Sequence, residues 1–198
     1  MSEARLYLIT PALSAADVDA FCPRFAAALA AGDVASALVR LSPGADAKRV
    51  VAPLMQIAAA QDVALLIEHD ARLAARLGVD GVHVAGAEVV DAVESAKGER
   101  IVGAGDLPLR DDAMAAGEAG ADYVMFGEPV GGVAPTLEWT LERVGWWAEI
   151  FEAPCVAYAA DLAAVAPLAA AGADFVALGD AIWDADAAQA VRTAMEAL

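Results

Sequence analysis

The sequence predicts an α/β chain folded as one closed (β/α)8 barrel, the TIM barrel arrangement. Two observations lead to this fold class. Short apolar runs alternate with alanine-rich or amphipathic stretches along the whole chain, with no linker, low-complexity tract or shift in composition between them. In addition, a glycine, an apolar residue and an aspartate precede an apolar run at three places, Gly78, Gly120 and Gly172. This repetition indicates that one supersecondary unit is reused around a single core.

The predicted strands are short apolar runs, as expected of parallel strands that helices cover on the outside. In chain order they begin at Arg5, Ala35, Val63, Gly81, Arg100, Asp122, Cys155 and Asp174. The three repeated glycines each end an alanine-rich stretch just before a strand, where glycine favours the left-handed conformation that closes a helix. A doubly wound open sheet is the alternative, but it should carry a glycine-rich turn after its first strand. The segment 10–14 at that position contains no glycine.

The predicted helices lie between the strands and complete the alternation. Their ranges are Asp17–Ala31, Ala47–Ala60, Asp70–Leu77, Glu88–Lys97, Asp111–Ala119, Glu138–Phe151, Asp161–Ala171 and Asp184–Glu196. Several begin with an aspartate or glutamate, whose carboxylate accepts hydrogen bonds from the free backbone amides of the first helical turn.

Length and composition favour one domain that spans residues 1–198, with 60% hydrophobic and 21% charged residues. Because acidic residues outnumber basic ones by 29 to 12, the net charge of -17 disfavours nucleic acid and anionic membranes as partners. No apolar run is long enough to cross a membrane, and the first residues lack the apolar region of a signal peptide, so we expect a cytoplasmic protein. Cys22 and Cys155 are expected to be buried structural thiols.

In a barrel of this kind, the loops that follow the strands form the binding site at the C-terminal face. We therefore expect a small-molecule ligand at this face. The predicted substrate-binding residues are Arg40, Glu68, His83, Glu88, Gly105 and Gly127, and the predicted catalytic residues are Glu128 and His69.

Two of these assignments have open alternatives. Arg40 either clamps an anion or pairs with Glu68 inside the barrel mouth. The two histidines are either hydrogen-bonded at their strand ends or bind a transition metal with Glu68 or Glu88. Since no fixed ligand spacing is present, no metal site is predicted.

Four phrases of the chain resemble the thiamine phosphate synthases and the related thiazole tautomerases. They are the opening strand 7–10, the segment 73–83, the segment 120–127, and Gly172-Ala173-Asp174 followed by Ala181-Ile182. The likeness extends over essentially the whole chain. It implies a transferase of thiamine biosynthesis that joins a pyrimidine diphosphate to a thiazole phosphate, expels pyrophosphate with the help of Mg²⁺, and self-associates as a homo-oligomer.

The residues that perform this chemistry in the family are mostly replaced here. Of the Gln-x-Arg-x-Lys strand end only Arg40 matches, the Asn-Asp pair falls on Glu68-His69, and a later aspartate falls on Glu88. The family serine after the fifth strand is Gly105, and no lysine follows the sixth strand. The Gly-Gly turn that holds the phosphate is Ala159-Ala160-Asp161, and the next phosphate loop presents Asp180. The resemblance and these differences together predict a divergent member that has lost the family reaction.

Two other functions are compatible with the same residues. The chain could be a non-catalytic relative that binds a ligand or partner. Alternatively, it could be an isomerase that resembles the tautomerases, with Glu128 in the place of their catalytic histidine. Glu128 would then act as a general base, with its pKa raised by the surrounding apolar wall.

Overall fold

A computed structural model of the chain describes residues 4–96, 98–184 and 186–198. The described residues form eight parallel strands that hydrogen-bond in chain order, and the last strand pairs with the first to close the barrel. The strands are β1 Arg5–Leu13, β2 Val34–Leu41, β3 Ala64–Glu68, β4 Gly81–Ala85, β5 Ile101–Gly105, β6 Tyr123–Phe126, β7 Cys155–Ala159 and β8 Phe175–Leu178. The predicted fold class is confirmed.

Helices cover the outside of the barrel. Within the described part of the chain they are α1 Val18–Leu29, α2 Ala47–Ala59, α3 Ala71–Leu77, α4 Val89–Ala96, α5 Arg110–Glu118, α6 Leu137–Ile150, α7 Val165–Ala170, α8 Asp180–Trp183 and α9 Ala187–Ala197. Short 3-10 turns at Gly86–Glu88 and Leu162–Ala164 precede α4 and α7. Lys97, the predicted end of the fourth helix, lies outside the described residues. None of the helices in the described ranges has the length and apolar character needed to span a bilayer.

The prediction of one helix over 184–196 is wrong at its start, because two helices follow β8. The short α8 ends at Trp183, whose indole Nε1 donates a hydrogen bond to the carbonyl of Ile9 at 2.6 Å. The same indole packs against Phe21 of α1, with ring centroids 4.8 Å apart. These contacts with distant parts of the chain hold α8 against β1, and a new N-cap at Asp186 then begins α9.

The three repeated glycines adopt the predicted left-handed conformation, with φ of 76° at Gly78, 96° at Gly120 and 104° at Gly172. A Cβ is unfavourable in this conformation, which explains why glycine recurs there. Each glycine therefore ends its helix and directs the chain into the next strand.

The aspartate of each repeat links two neighbouring strands at the N-terminal end of the barrel. Its Oδ2 accepts a hydrogen bond from a backbone amide at the start of the preceding strand. The pairs are Asp80 with Leu65 at 2.8 Å, Asp122 with Val102 at 2.7 Å, and Asp174 with Cys155 at 2.9 Å. The repeats thus set the spacing of β3 with β4, β5 with β6 and β7 with β8, at the end opposite to the predicted site.

The apolar side chains form two buried layers. The larger layer fills the space between the strands and the surrounding helices. The smaller one lies inside the barrel and includes Tyr7, Leu38, Tyr123 and Met125. Both cysteines are free thiols. Cys155 is buried as expected, and burial raises its pKa to about 12, whereas Cys22 is only partly buried.

Candidate functional site

A cavity of about 270 Å³ opens at the C-terminal face of the barrel. It lies where β2 to β6 end, which is the expected position for a site in this fold. Six of the eight predicted site residues are in its wall: Arg40, Glu68, His69, His83, Gly105 and Glu128. The barrel thus brings together residues that are far apart in the sequence.

The carboxylate of Glu128 is the most buried acidic group of this cavity, with only 13% of the side chain exposed. Its Oε1 accepts a hydrogen bond from the backbone amide of Asp106 at 2.6 Å, and its Oε2 lies 3.1 Å from Nε2 of His83. Gly105 lies directly against this carboxylate, because a Cβ added there would be 1.8 Å from Oε1. The absence of a side chain at position 105 makes room for Glu128.

His83 is held from its other side by a tyrosine pair inside the barrel. Its Nδ1 is 2.9 Å from the hydroxyl of Tyr123, which is itself 2.8 Å from the hydroxyl of Tyr7. Burial raises the pKa of both phenols, so both retain their protons. Because an ionised carboxylate only accepts, Nε2 of His83 donates to Glu128. The hydrogen bonds from Tyr7 through Tyr123 and His83 to Glu128 therefore hold the imidazole ring in one orientation.

The pKa of Glu128 is lowered, which corrects the expectation that its apolar surroundings raise it. Burial by itself does raise the pKa of this carboxyl. The hydrogen bond and charge of His83, the amide of Asp106 and the positive charge of Arg40 outweigh that effect. Glu128 is consequently ionised near neutral pH, but as a base it is weaker than an ordinary carboxylate.

Arg40 pairs with Glu68, the second of the two alternatives for this residue. Its Nε donates to Oε1 of Glu68 at 2.8 Å, and both side chains are largely buried, with 29% and 20% exposed. Burial alone would lower the pKa of Arg40, but the charge and hydrogen bond of Glu68 raise it overall. Among the described residues that line the cavity, Arg40 is the only one with a permanent positive charge.

His69 is the least enclosed of the predicted catalytic residues. Its side chain is 73% exposed, and Nε2 is 3.7 Å from Oε2 of Glu68. The backbone at His69 has a φ of +68°, and Asp106 has a φ of +49°. Such left-handed conformations are uncommon for residues with a side chain and occur often at functional sites. At Asp106 this conformation accompanies the backbone hydrogen bond to Glu128.

Two predicted residues lie outside this cluster. Glu88 is exposed and lines a neighbouring cavity of about 380 Å³ between α3 and α4, which also contains His69. Gly127 has a φ of +89° and packs against α6, where an added Cβ would be 2.6 Å from Oγ1 of Thr140. The structure therefore does not bring Glu88 or Gly127 into contact with the Arg40 pair.

Tyr7, Tyr123 and Asp106 belong to the site although they were not among the predicted residues. Tyr7 and Tyr123 each alternate with an apolar residue that also faces the barrel interior, Ile9 and Met125. Because every second side chain of a strand points to the same face, the sequence could have indicated that both tyrosines point into the barrel. No sequence pattern indicates the contact of Tyr123 with His83 or the hydrogen bond between the two tyrosines.

The residues present do not fit the magnesium ion that the family resemblance implies. Mg²⁺ prefers hard oxygen ligands in octahedral geometry. Of the residues at the positions that the resemblance assigns to this chemistry, His69 offers a nitrogen ligand, and Glu88 lines the neighbouring cavity and not the one that contains Glu68. Glu68 is engaged by Arg40, and Glu128 by His83 and Asp106.

The two loops in which the resemblance implies phosphate binding, after β7 and β8, carry acidic side chains. The carboxylate of Asp161 accepts a hydrogen bond from the amide of Ala164 at 3.0 Å and so caps the turn after β7. Asp180 begins α8 after β8. Tyr158 lies beside this loop, since a Cβ on Gly179 would be 3.2 Å from its hydroxyl. Carboxylates and a phenol therefore lie in the loops that the resemblance assigns to phosphate binding.

Comparisons with known proteins agree with this architecture. Residues 6–182 match the family described as thiamine monophosphate synthase. A protein of Rhodospirillum centenum named thiamine-phosphate synthase is 43% identical, over 98% of this chain and 96% of that protein. One of Erythrobacter litoralis with the same name is 38% identical, over 97% and 94%. The solved structure of a thiamine phosphate pyrophosphorylase from Pyrococcus furiosus matches with a TM-score of 0.81 and 21% identity, over 98% of this chain and 95% of that chain. The chain belongs to the thiamine monophosphate synthase family.

Proposed function

We propose that this chain binds a small heterocyclic ligand in the cavity at the C-terminal face, and that it does not join a pyrimidine diphosphate to a thiazole phosphate. The observation that carries the proposal is the position of Glu128. Its ionised carboxylate fills the space beside Gly105, where the resemblance places a serine. The predicted site residues Arg40, Glu68 and His83 surround the same ligand.

The charges of the cavity support this ligand class. Glu68, Asp106 and Glu128 line the cavity together with Arg40, and Arg40 is already paired with Glu68. Two like charges about 4 Å apart repel by ~4 kcal/mol near a protein surface. A diphosphate and a phosphate would bring several negative charges close to these carboxylates. A neutral or cationic heterocycle with N–H groups instead donates hydrogen bonds to them.

The family reaction tests the loss of activity directly. Purified protein is incubated with the pyrimidine diphosphate, the thiazole phosphate and Mg²⁺, and thiamine phosphate is measured. We expect a rate equal to that of the reaction without protein. A rate above this background would overturn the proposal and assign the family transfer to this chain.

Thermal denaturation tests the ligand class. A ligand at about 100 times its Kd stabilises the native state by ~2.7 kcal/mol, which shifts the Tm of a chain of this size by several degrees. We expect 4-aminopyrimidine to raise Tm and thiazole phosphate to leave it unchanged. The matched variant Glu128→Gln keeps the shape of the side chain and should weaken the effect of 4-aminopyrimidine. Stabilisation by thiazole phosphate would contradict the electrostatic argument.

The ionised carboxylate of Glu128 in the cavity wall favours a second candidate, an isomerase that resembles the tautomerases. In this function Glu128 accepts a proton from the ligand, and the hydrogen bond from His83 fixes the orientation of the carboxylate. The tautomerase reaction is measured with wild-type protein and with Glu128→Gln. Turnover that the substitution abolishes without unfolding the protein supports this candidate, whereas a wild-type rate at background removes it.

The proposal extends to partners and location. The net charge of -17 supports the absence of nucleic-acid partners. A cytoplasmic location and a homo-oligomer remain predictions. Cell fractionation tests the location, and native mass spectrometry tests the oligomer.

A further inference from the structure

We propose that an apolar subsite lies beside Glu128 and takes an aromatic or branched alkyl substituent of the ligand. This inference rests on the proposed function, since it concerns the same ligand. It defines the ligand class more closely as an amino-substituted heterocycle that carries an apolar group.

The subsite is a second cavity of about 380 Å³ between the end of β6 and the start of α6. Apolar side chains dominate its wall, among them Leu107, Phe126, Val133, Pro135 and Trp139. Known ligand cavities are about 300–1,000 Å³ and mostly apolar, with few polar groups to orient the ligand. The size and lining of this cavity therefore suit a ring or a branched alkyl group.

The apolar cavity is adjacent to the polar cavity that contains Arg40 and Glu68. The two cavities share Asp106, Glu128 and Val130 in their walls. The polar ring of the proposed ligand contacts Glu128 in one cavity, and its substituent reaches past this side chain into the other. Both cavities are assigned to one molecule because they adjoin at these three residues.

A small hairpin forms the outer rim of the apolar cavity. Val130 and Val133 exchange two backbone hydrogen bonds of 3.1 Å each. Gly131 and Gly132 between them have φ of 58° and 81°, as a tight two-residue turn with two positive φ angles requires. The hairpin thus fixes both valines at the edge of the cavity.

Both valines are exposed, at 47% for Val130 and 73% for Val133. Covering such surface is favourable by about 25 cal/mol per Å². An apolar substituent in the cavity would cover part of both side chains. The position of the hairpin at the rim of the cavity therefore points to a group of the ligand at this place.

The test compares 4-aminopyrimidine with 4-amino-5-benzylpyrimidine by isothermal titration calorimetry. Three proteins are used: the wild type, Val133→Asn, and the matched control Val90→Asn. Val90 is 57% exposed on α4 and lies outside the lining of both cavities. Both substitutions introduce a polar group without a change of charge.

We expect the benzyl compound to bind the wild type and Val90→Asn at least about tenfold more tightly than the parent compound. In Val133→Asn this gain should fall to about threefold or less, while the affinity for 4-aminopyrimidine is unchanged. Equal binding of the two compounds to the wild type would overturn the subsite and leave the proposed function intact. The subsite would also be overturned if Val133→Asn kept the full gain of about tenfold for the benzyl compound. The same conclusion would follow if Val133→Asn bound both compounds more weakly than the wild type does. If neither compound binds the wild type, the ligand class fails, and the synthase assay then decides the proposed function separately.

Discussion

Substitution of Gly105 by alanine should displace the carboxylate of Glu128. An added Cβ would lie 1.8 Å from Oε1 of Glu128 and 2.4 Å from Nε2 of His83. Neither distance is compatible with van der Waals contact, so one of the two side chains must move. His83 is held by Tyr123 inside the barrel, whereas Glu128 lies at the cavity and is able to turn towards solvent.

The cost follows from the hydrogen bonds that Glu128 would lose. The carboxylate accepts one from the amide of Asp106 and one from His83. A hydrogen bond to a charged group contributes ~1.5–3 kcal/mol, and water in the open cavity replaces part of it. We therefore expect Gly105→Ala to lower the free energy of unfolding by about 2–4 kcal/mol. For a chain of this size the corresponding decrease in Tm is about 5–15 °C.

Urea denaturation measures this loss. Gly145→Ala is the matched control, because a Cβ at this position of α6 would be 3.9 Å from its nearest neighbour, the carbonyl oxygen of Ala171. Since alanine is a better helix former than glycine, the control should be as stable as the wild type or more stable.

A second background separates the effect on Glu128 from other effects at position 105. In Glu128→Ala the displaced carboxylate and its hydrogen bonds are absent, although the contact with His83 remains. Gly105→Ala should therefore cost about 2–4 kcal/mol less in this background. Equal costs in both backgrounds, or a Gly105→Ala protein as stable as the wild type, would refute the reasoning.

Three other predictions concern single groups. Folding lowers the pKa of Glu128, so its contribution to stability is fully present above about pH 4.5 and is lost as the pH falls through the lower folded pKa. Denaturation measured at decreasing pH below about 4.5 should therefore show a weaker pH dependence in Glu128→Gln than in the wild type. Asp174→Ala removes the acceptor for the amide of Cys155 and should cost about 1 kcal/mol without changing ligand affinity, measured by denaturation and calorimetry. Arg40→Met leaves the largely buried Glu68 without its partner and should cost about 1–3 kcal/mol in urea denaturation, whereas an unchanged midpoint would show that solvent compensates the charge.

Most of the fold could be predicted because its signals are local. A helix that ends at Gly78 needs only a residue that tolerates a positive φ, and the buried strand after it needs only an apolar run. The helix after β8 was placed incorrectly because α8 depends on Trp183 and its contacts with Ile9 and Phe21. These contacts with β1 and α1 cannot be predicted from the local sequence of residues 180–196.

The candidate site was predictable to the extent that it follows from the barrel. Parallel strands place the residues after their C-terminal ends on one face, so Arg40, Glu68, His83 and Glu128 were expected to be neighbours. The hydrogen-bond partner of each residue could not be predicted. Whether Arg40 clamps a ligand or pairs with Glu68 depends on a distance of 2.8 Å between side chains from different strands.

The sequence alone determined the barrel, the three helix-to-strand connections and the face that carries the site, because each depends on backbone preferences and on the periodic burial of apolar residues. Only the tertiary structure decided the protonation of Glu128. Its apolar surroundings suggested a raised pKa, but the imidazole of His83 and the amide of Asp106 lower it. These groups follow different strands, and a pKa depends on the distances between charges and dipoles, which only the folded chain defines.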